Sequence, residues 1–387
     1  MDVRILGQSP LANLYFMRDQ QAATARGLVV GRPAKRQRAR EPEITRFLWD
    51  ILGIPIAGTV EEPGTFEGGD FMPMGGEFAL VGTGGDRTNR EGVSRFLDLA
   101  PGGFDEIGIV HQPGHPLIPG DRPDPMVDMH LDTYFNVAGS GVVLGSEFLL
   151  RRARLEVCYR SGEGYEPSGE TTTLYDYIQS KGGFSVIDLS ILEQLSYAAN
   201  VLCVRDGSIL AVEGERVMQT VLLNLERKAA RDPERYGRLL RHAEEDCRRI
   251  MNEGRIFPHK PEFARHGIEV FPLHLENLTG GATAAPHCMT CTLERGGDGM
   301  PGGRAVVIAL GGNAILQHRE TGTAEEQFAN VQKASRQIAA IAGEGYAVAV
   351  THGNGPQVGG DILLKNELAK ETLPPMPLDV CGAESQG

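Results

Sequence analysis

The chain has 387 residues, of which 41% are hydrophobic and 23% charged, so one typical globular core is too small for it and disorder along most of its length is excluded. A formal net charge of -13 argues against a nucleic-acid partner or an anionic membrane surface, which need a basic face, and suits a small cationic ligand. Neither an apolar signal core behind a basic start nor a run of about 18 apolar residues occurs, which predicts a cytoplasmic protein.

In chain order, the first polar motif is Asn13-Leu14-Tyr15-Phe16-Met17-Arg18-Asp19. A basic run over residues 35–40 follows, ahead of Glu41, and then Phe66-Glu67-Gly68-Gly69-Asp70. Phe78-Ala79-Leu80-Val81 and Val142-Val143-Leu144 are short apolar strands set between Gly- and Pro-rich turns, so this region reads as mixed α and β. Between them lie Asp86-Arg87-Thr88, then His111 and His115, read as loop histidines, and Met129-His130-Leu131-Asp132-Thr133. The clearest helix is predicted over about 232–252, where Leu239, Leu240, Ala243 and Cys247 keep helical spacing. Gly280-Gly281 then precedes His287-Cys288-Met289-Thr290-Cys291.

A Gly-rich polar stretch marks a seam, which divides the chain into a domain over 1–295, a linker over 296–303 and a second piece over 304–387. Beyond it, 305–310 is a buried-type strand ending in Gly311-Gly312-Asn313. Thr323 and Glu326 form a capping box before an amphipathic helix that stops near Gly343 and Gly345, and the next strand covers 346–350. The pattern is one strand-helix-strand unit of a parallel sheet.

Six cysteines in so long a chain do not make the dense framework of a small secreted domain and are read as reduced thiols. Cys288 and Cys291 alone do not build a structural zinc site, which needs four ligands, and no second pair of similar spacing exists; no metal is assigned. Singly, Glu67-Gly68-Gly69-Asp70 is an ordinary polar turn, His130 an ordinary core or surface histidine, and residues 35–40 a solvated basic face. Together, the motifs supply carboxylates, a histidine and a thiol. That set matches attack on a guanidinium carbon, which needs fixed carboxylates to grip a planar cation, a soft nucleophile and a proton carrier.

These four motifs, taken in order, resemble the arginine deiminases of the guanidino-group-modifying superfamily over residues 10 to 295. The resemblance implies an α/β fold, a five-module β/α propeller with its active site in the central channel. It also implies that Asp19 and Asp132 bind guanidinium nitrogens, that Glu67 and His130 manage protons, and that Cys288 is the nucleophile. Asn13, Arg38, Asp70 and Arg87 are implied to contact substrate, the two arginines through its carboxylate. The implied reaction converts L-arginine to L-citrulline and ammonia through a covalent thiouronium on Cys288, without a cofactor. Dimethylarginine hydrolase and amidinotransferase are the alternatives that the motifs leave open, as is a homo-oligomer. In the family an arginine precedes the cysteine within its Gly-rich loop, whereas Thr283 stands at about that place here.

The second piece resembles the start of the carbamate kinases, three-layer α/β enzymes, through Ala309-Leu310-Gly311-Gly312-Asn313-Ala314, His352-Gly353-Asn354-Gly355-Pro356-Gln357 and Gly382-Ala383-Glu384-Ser385-Gln386-Gly387. The resemblance implies that Gly311, Gly312, Asn313, Gly353 and Asn354 line a phosphoryl-transfer site, because glycine turns after parallel strands bring amides close to phosphate. ATP or ADP with magnesium would serve only a complete kinase, so this partial unit is expected to be inactive alone. Arginine deiminase and carbamate kinase begin and end one route from arginine to ornithine, ammonia and ATP, an association that favours arginine as substrate.

Overall fold

The computed structural model describes residues 16–75, 77–99, 103–120, 124, 129–162, 164–273, 285–292, 304–310, 323–343, 346–352 and 368. The chain separates into two compact units, one over Asn13–Gly296 and one containing Gly297–Gly387. Both mix helices and strands.

The larger unit repeats one topological element four times among the described residues. A short antiparallel hairpin is followed by a crossover and a third strand, which lies parallel to the second. In the first repeat β1 (Gln21–Thr24) pairs with β2 (Gly27–Val30), and helix α1 (Glu41–Leu52) leads to β3 (Ile56–Thr59). In the second, β4 (Phe71–Pro73) and β5 (Phe78–Thr83) are joined through α2 (Arg90–Leu99) to β6 (Glu106–His111). The third has β7 (Phe135–Gly139) and β8 (Val142–Gly145). An antiparallel excursion, β9 (Arg154–Ser161) and β10 (Gly164–Thr173), widens the second sheet before β11 (Ser185–Asp188) pairs with β8. The fourth has β12 (Leu202–Arg205), β13 (Ser208–Val212) and β14 (Glu269–Leu273), with a long helical crossover over Gly214–Arg231 and Pro233–Glu253. His111 closes strand β6 and does not sit in a loop, while His115 is a buried loop residue.

What matters for chemistry is the segment entering each repeat. The 3-10 turns Met17–Gln20, Gly68–Asp70 and Leu131–Thr133 precede β1, β4 and β7, and pack in sequence, the first on the second and the second on the third. Buried apolar neighbours pin them. Phe66 stacks on Phe96 with centroids 4.5 Å apart just before the second turn, and Leu131, Tyr134 and Phe135 are buried around the third. Each such side chain contributes roughly 1.5–3 kcal/mol relative to exposure, so the polar residues beside them are held by the core. The turns approach so closely that a Cβ on Gly68 would meet the main-chain oxygens of Arg18 and Gln21, and one on Gly69 would lie 2.8 Å from His130 Nδ1. The paired glycines are a packing requirement.

In the smaller unit Arg304–Leu310 and Tyr346–His352 pair in parallel, connected through the helix Ala324–Gly343. Thr323 and Glu326 cap that helix reciprocally, Thr323 Oγ1 accepting from Glu326 N at 3.2 Å and Glu326 Oε2 from Thr323 N at 3.0 Å. Among the described residues, no helix is long and apolar enough to cross a membrane.

Candidate active site

The entry turns bring Asp19, Glu67, His130 and Asp132 together with Cys288, all buried. His130 is the hub. Its Nε2 lies 2.9 Å from Glu67 Oε2, and its Nδ1 lies 3.7 Å from Asp19 Oδ1 and 3.9 Å from Asp132 Oδ1. Burial works against the imidazolium, but Asp19, the Glu67 hydrogen bond and Asp70 outweigh it and push His130 up to about 10. Burial would raise Glu67, yet His130, Arg87 and Arg38 hold it down at about 2. At neutral pH the two form a buried imidazolium–carboxylate pair.

Arg38 and Arg87 brace these carboxylates. Arg38 sits in the 3-10 turn Arg36–Arg38, with Nη1 2.6 Å from Asp19 Oδ2, Nε 2.9 Å from Glu41 Oε2 and Nη1 3.8 Å from Glu67 Oε2. The basic run at 35–40 therefore presents one buried arginine inward. Arg87 Nη1 lies 3.4 Å from Glu67 Oε2, and its buried Nε has no hydrogen-bond partner among the described residues. Burial raises the Asp19 carboxyl against the pull of His130 and Arg38. Asp70 is turned to the backbone, its Oδ1 accepting from Leu131 N at 2.9 Å, and burial raises it to about 6. It thereby holds the turn that carries His130 and Asp132.

Cys288 Sγ lies 3.8 Å from Asp132 Oδ2. Burial, followed by the charges of Asp132 and Asp19, keeps its thiol well above the usual range, opposed by hydrogen bonds from Asn200 and the Ala285 backbone. Asp132 is lowered despite burial, because His287 donates to it and His130 and Arg18 add positive charge. His287 Nδ1 is 2.7 Å from Asp132 Oδ2. Beside an ionised carboxylate, that nitrogen carries the proton.

Three residues of this centre escaped sequence reasoning: Arg18, Asn200 and His287. Arg18 and His287 stand inside the motifs of Asp19 and Cys288. Asn200 lies in no motif, and no local signal distinguishes it from other asparagines.

Asp19 Oδ1, Asp132 Oδ1 and His130 Nδ1 are buried and without hydrogen-bond partners among the described residues. Two acceptors thus converge near a thiol, as a flat cation with several N–H groups requires, with the His130 imidazolium beside them as a proton source. Asp19, Glu67 and His130 also place one ligand atom each within 4.8 Å of the others, a set able to hold a metal ion. Arg38 and Arg87 already supply positive charge to two of the three.

Asn13, Gly311, Gly312, Asn313, Gly353 and Asn354 lie outside the described residues, as does Thr283.

Residues 7–295 match the family model "Arginine deiminase". The carbamate kinase of Pyrococcus furiosus is 53% identical over 87 residues, covering 22% of this chain and 27% of the kinase, so the chain spans about a quarter of the length of the curated relatives it matches. Among solved structures, a dimethylarginine dimethylaminohydrolase mutant from Pseudomonas aeruginosa complexed with citrulline is 18% identical. That likeness covers 69% of this chain and 71% of that one, with a TM-score of 0.40. An arginine dihydrolase from the ornithine–ammonia cycle in cyanobacteria is 14% identical, covering 74% of this chain and 33% of that one, with a TM-score of 0.48.

Proposed function

Because the chain belongs to the arginine deiminase family, whose chemistry is hydrolysis of a guanidino group, we propose that it hydrolyses L-arginine to L-citrulline and ammonia through a covalent intermediate on Cys288. The observation that carries this reading is the pair of buried carboxylate oxygens, Asp19 Oδ1 and Asp132 Oδ1, that face His130 Nδ1 at 3.7 and 3.9 Å without a hydrogen bond among the described residues, with the Cys288 thiol 3.8 Å from Asp132 Oδ2.

In this mechanism the guanidinium is gripped between Asp19 and Asp132. Its charge offsets the two carboxylates that hold the thiol proton on, so Cys288 releases that proton to solvent as substrate arrives. The thiolate attacks the guanidinium carbon and forms a tetrahedral adduct. His130, already an imidazolium, gives its proton to the departing nitrogen, and ammonia leaves a thiouronium on Cys288. Neutral His130 then takes a proton from water as that water's oxygen adds to the same carbon. Collapse breaks the C–S bond and releases the ureido product as the adduct's hydroxyl proton passes to the departing sulfur, restoring the thiol. Glu67 keeps His130 charged between turnovers and fixes its orientation.

Arg38, engaged by Asp19 and Glu41, acts here as the brace of Asp19. Arg87, whose Nε makes no hydrogen bond among the described residues and lies 4.0 Å from Asp86 Oδ2, is assigned with Asn13 to the amino-acid end of the substrate, Arg87 taking its carboxylate. The four repeats support closure of a five-module propeller, with the segment carrying Cys288 supplying the fifth entry. We assign 1–295 to this catalytic domain, 296–303 to a linker and 304–387 to a carbamate kinase-like unit. In that unit Gly311, Gly312, Asn313, Gly353 and Asn354 line a phosphate site, and the matched stretch covers 27% of a kinase. Pairing with that unit favours arginine over methylarginines, which dimethylarginine hydrolases take, and over amidino transfer.

Mass spectrometry of enzyme quenched in acid with arginine tests the reading. A substrate-derived adduct on the Cys288 peptide, with citrulline as product, is expected. Turnover with Cys288 unmodified and dispensable would overturn it. Methylarginines, and arginine with glycine, serve as competing substrates in the same assay.

A further inference from the structure

We propose that Asn200 clamps the Cys288 nucleophile in its attacking position and supplies the side-chain hydrogen bond that receives the sulfur's negative charge; this rests on the assignment of Cys288 as nucleophile.

Asn200 is fully buried in the segment between the short helix Ile191–Leu195 and β12. Its Oδ1 accepts from Cys288 N at 3.1 Å, and its Nδ2 donates to Cys288 Sγ at 3.1 Å and to the Asp132 main-chain oxygen at 3.4 Å. Its own main-chain oxygen accepts from His287 N at 3.2 Å, while its N–H donates to the Tyr197 oxygen at 3.0 Å. One residue therefore ties the turn carrying the nucleophile to the turn carrying Asp132. The amide orientation is forced, because a flipped side chain would set its NH2 against the Cys288 N–H and its oxygen against sulfur. Asparagine alone meets the demand at this reach. Aspartate has no donor for the sulfur, and serine is too short to hold both ends.

Topology gives an independent reason. Asp19 stands two residues before β1, Asp70 one residue before β4, and Asp132 three residues before β7, each at the entry of its repeat. Asn200 stands two residues before β12, at the entry of the fourth. The first three repeats deliver carboxylates or histidine from that position. The fourth delivers a neutral amide, aimed at sulfur.

Chemistry explains why neutral is useful. The charged groups facing Cys288 are Asp132 and Asp19, which oppose ionisation, and Arg18, which favours it. A fourth charge there would disturb a site that must bind a cation, whereas an amide N–H stabilises thiolate over thiol without altering the net charge.

The test is the pH profile of Cys288 alkylation by iodoacetamide in the full chain, read on the Cys288 peptide by mass spectrometry, together with kcat and KM for arginine. Asn200→Asp keeps shape and the acceptor for Cys288 N–H while removing the donor, and because it also adds a charge that raises the thiol, the shift is assigned to the lost donor only where the uncharged Asn200→Ser shows it too. Asn200→Ser also serves alone should the first fail to fold, with thermal melting as the check. The alkylation midpoint should rise by about one pH unit or more, the scale of one lost hydrogen bond to a charged group, with kcat down at least about tenfold and KM changed little. An unshifted midpoint with kcat within about threefold in a folded variant overturns the proposal. Alkylation needs no substrate, so a shifted midpoint without arginine turnover in the wild type sinks the substrate assignment and still supports the clamp.

Discussion

His287 Nδ1 donates to Asp132 Oδ2 at 2.7 Å, so the residue beside the nucleophile fixes the carboxylate that the nucleophile faces. With Oδ2 engaged, Asp132 Oδ1 is the oxygen left for a substrate nitrogen. His287→Ala should lower kcat/KM for arginine by about tenfold to a hundredfold, the value of one charge-assisted hydrogen bond at about 1.5–3 kcal/mol. Steady-state kinetics decide it. Wild-type values in a folded variant would show that Asp132 is held well enough without His287.

Asp19→Asn and Asp132→Asn should both lose activity, and each also removes the charge from a buried ion pair, Asp19 with Arg38 and Asp132 with His287. Each removes a charge from the guanidinium grip, worth about 1.5–3 kcal/mol. Asp19→Asn also strips Arg38 of its nearest carboxylate, and Arg38 keeps Glu41 at 2.9 Å and Glu67 at 3.8 Å. The loss of folding stability should therefore be partial for Asp19→Asn, on the order of 1–3 kcal/mol. Denaturant unfolding beside kinetics separates the two effects. Full activity in Asp132→Asn would remove Asp132 from the grip.

Much of this centre was legible in the sequence because local chemistry announced it. Asp19, Glu67, His130, Asp132 and Cys288 stand in short polar motifs beside paired glycines or buried aromatics, and the motif order survives without any knowledge of the fold. The smaller unit announced its strand-helix-strand through periodicity and a capping box. Asn200 was not legible, since its partners lie 68 and 88 residues away and its own segment is ordinary. The repeats were hidden too. Their crossovers run from the twelve-residue α1 to a helical pair, so no fixed period exists in the sequence.

The Glu67–His130 pair predicts a pH signature. His130, raised from 6.5 to about 10, contributes stability that is complete below 6.5 and lost as pH rises through about 10. Glu67, lowered from 4.5 to about 2, contributes stability present above 4.5 and lost as pH falls through about 2. Glu67→Gln should thus cost most stability between these windows, and the cost should shrink from pH 6.5 towards 10. The His130 NMR titration, followed in a Cys288→Ser background, should move down by about one unit or more in Glu67→Gln. An unmoved midpoint would mean that the pair is not what charges the histidine.

Arg18 makes the last prediction, because its charge serves the nucleophile and not the fold. Its guanidinium is buried, donating from Nε to the His287 oxygen at 3.2 Å and from Nη2 to Thr290 Oγ1 at 3.3 Å, and its N–H donates to the Cys288 oxygen at 3.1 Å. No carboxylate lies within 4.0 Å of it among the described residues. Burial therefore lowers its pKa, while Asp132, Cys291, Cys288 and Asp19 hold it up from farther away. A buried cation without a direct ion pair is costly to keep, and an apolar side chain of similar length is often as good for stability. Arg18→Met should leave the unfolding free energy within about 1 kcal/mol of wild type or raise it. The same variant should slow Cys288 alkylation at neutral pH and lower kcat, since the positive charge that favours thiolate is gone. Arg18→Lys restores charge without the fork and should recover part of both. A matched fall of stability and activity in Arg18→Met, with no gain in Arg18→Lys, would show that Arg18 only braces the turn around Cys288.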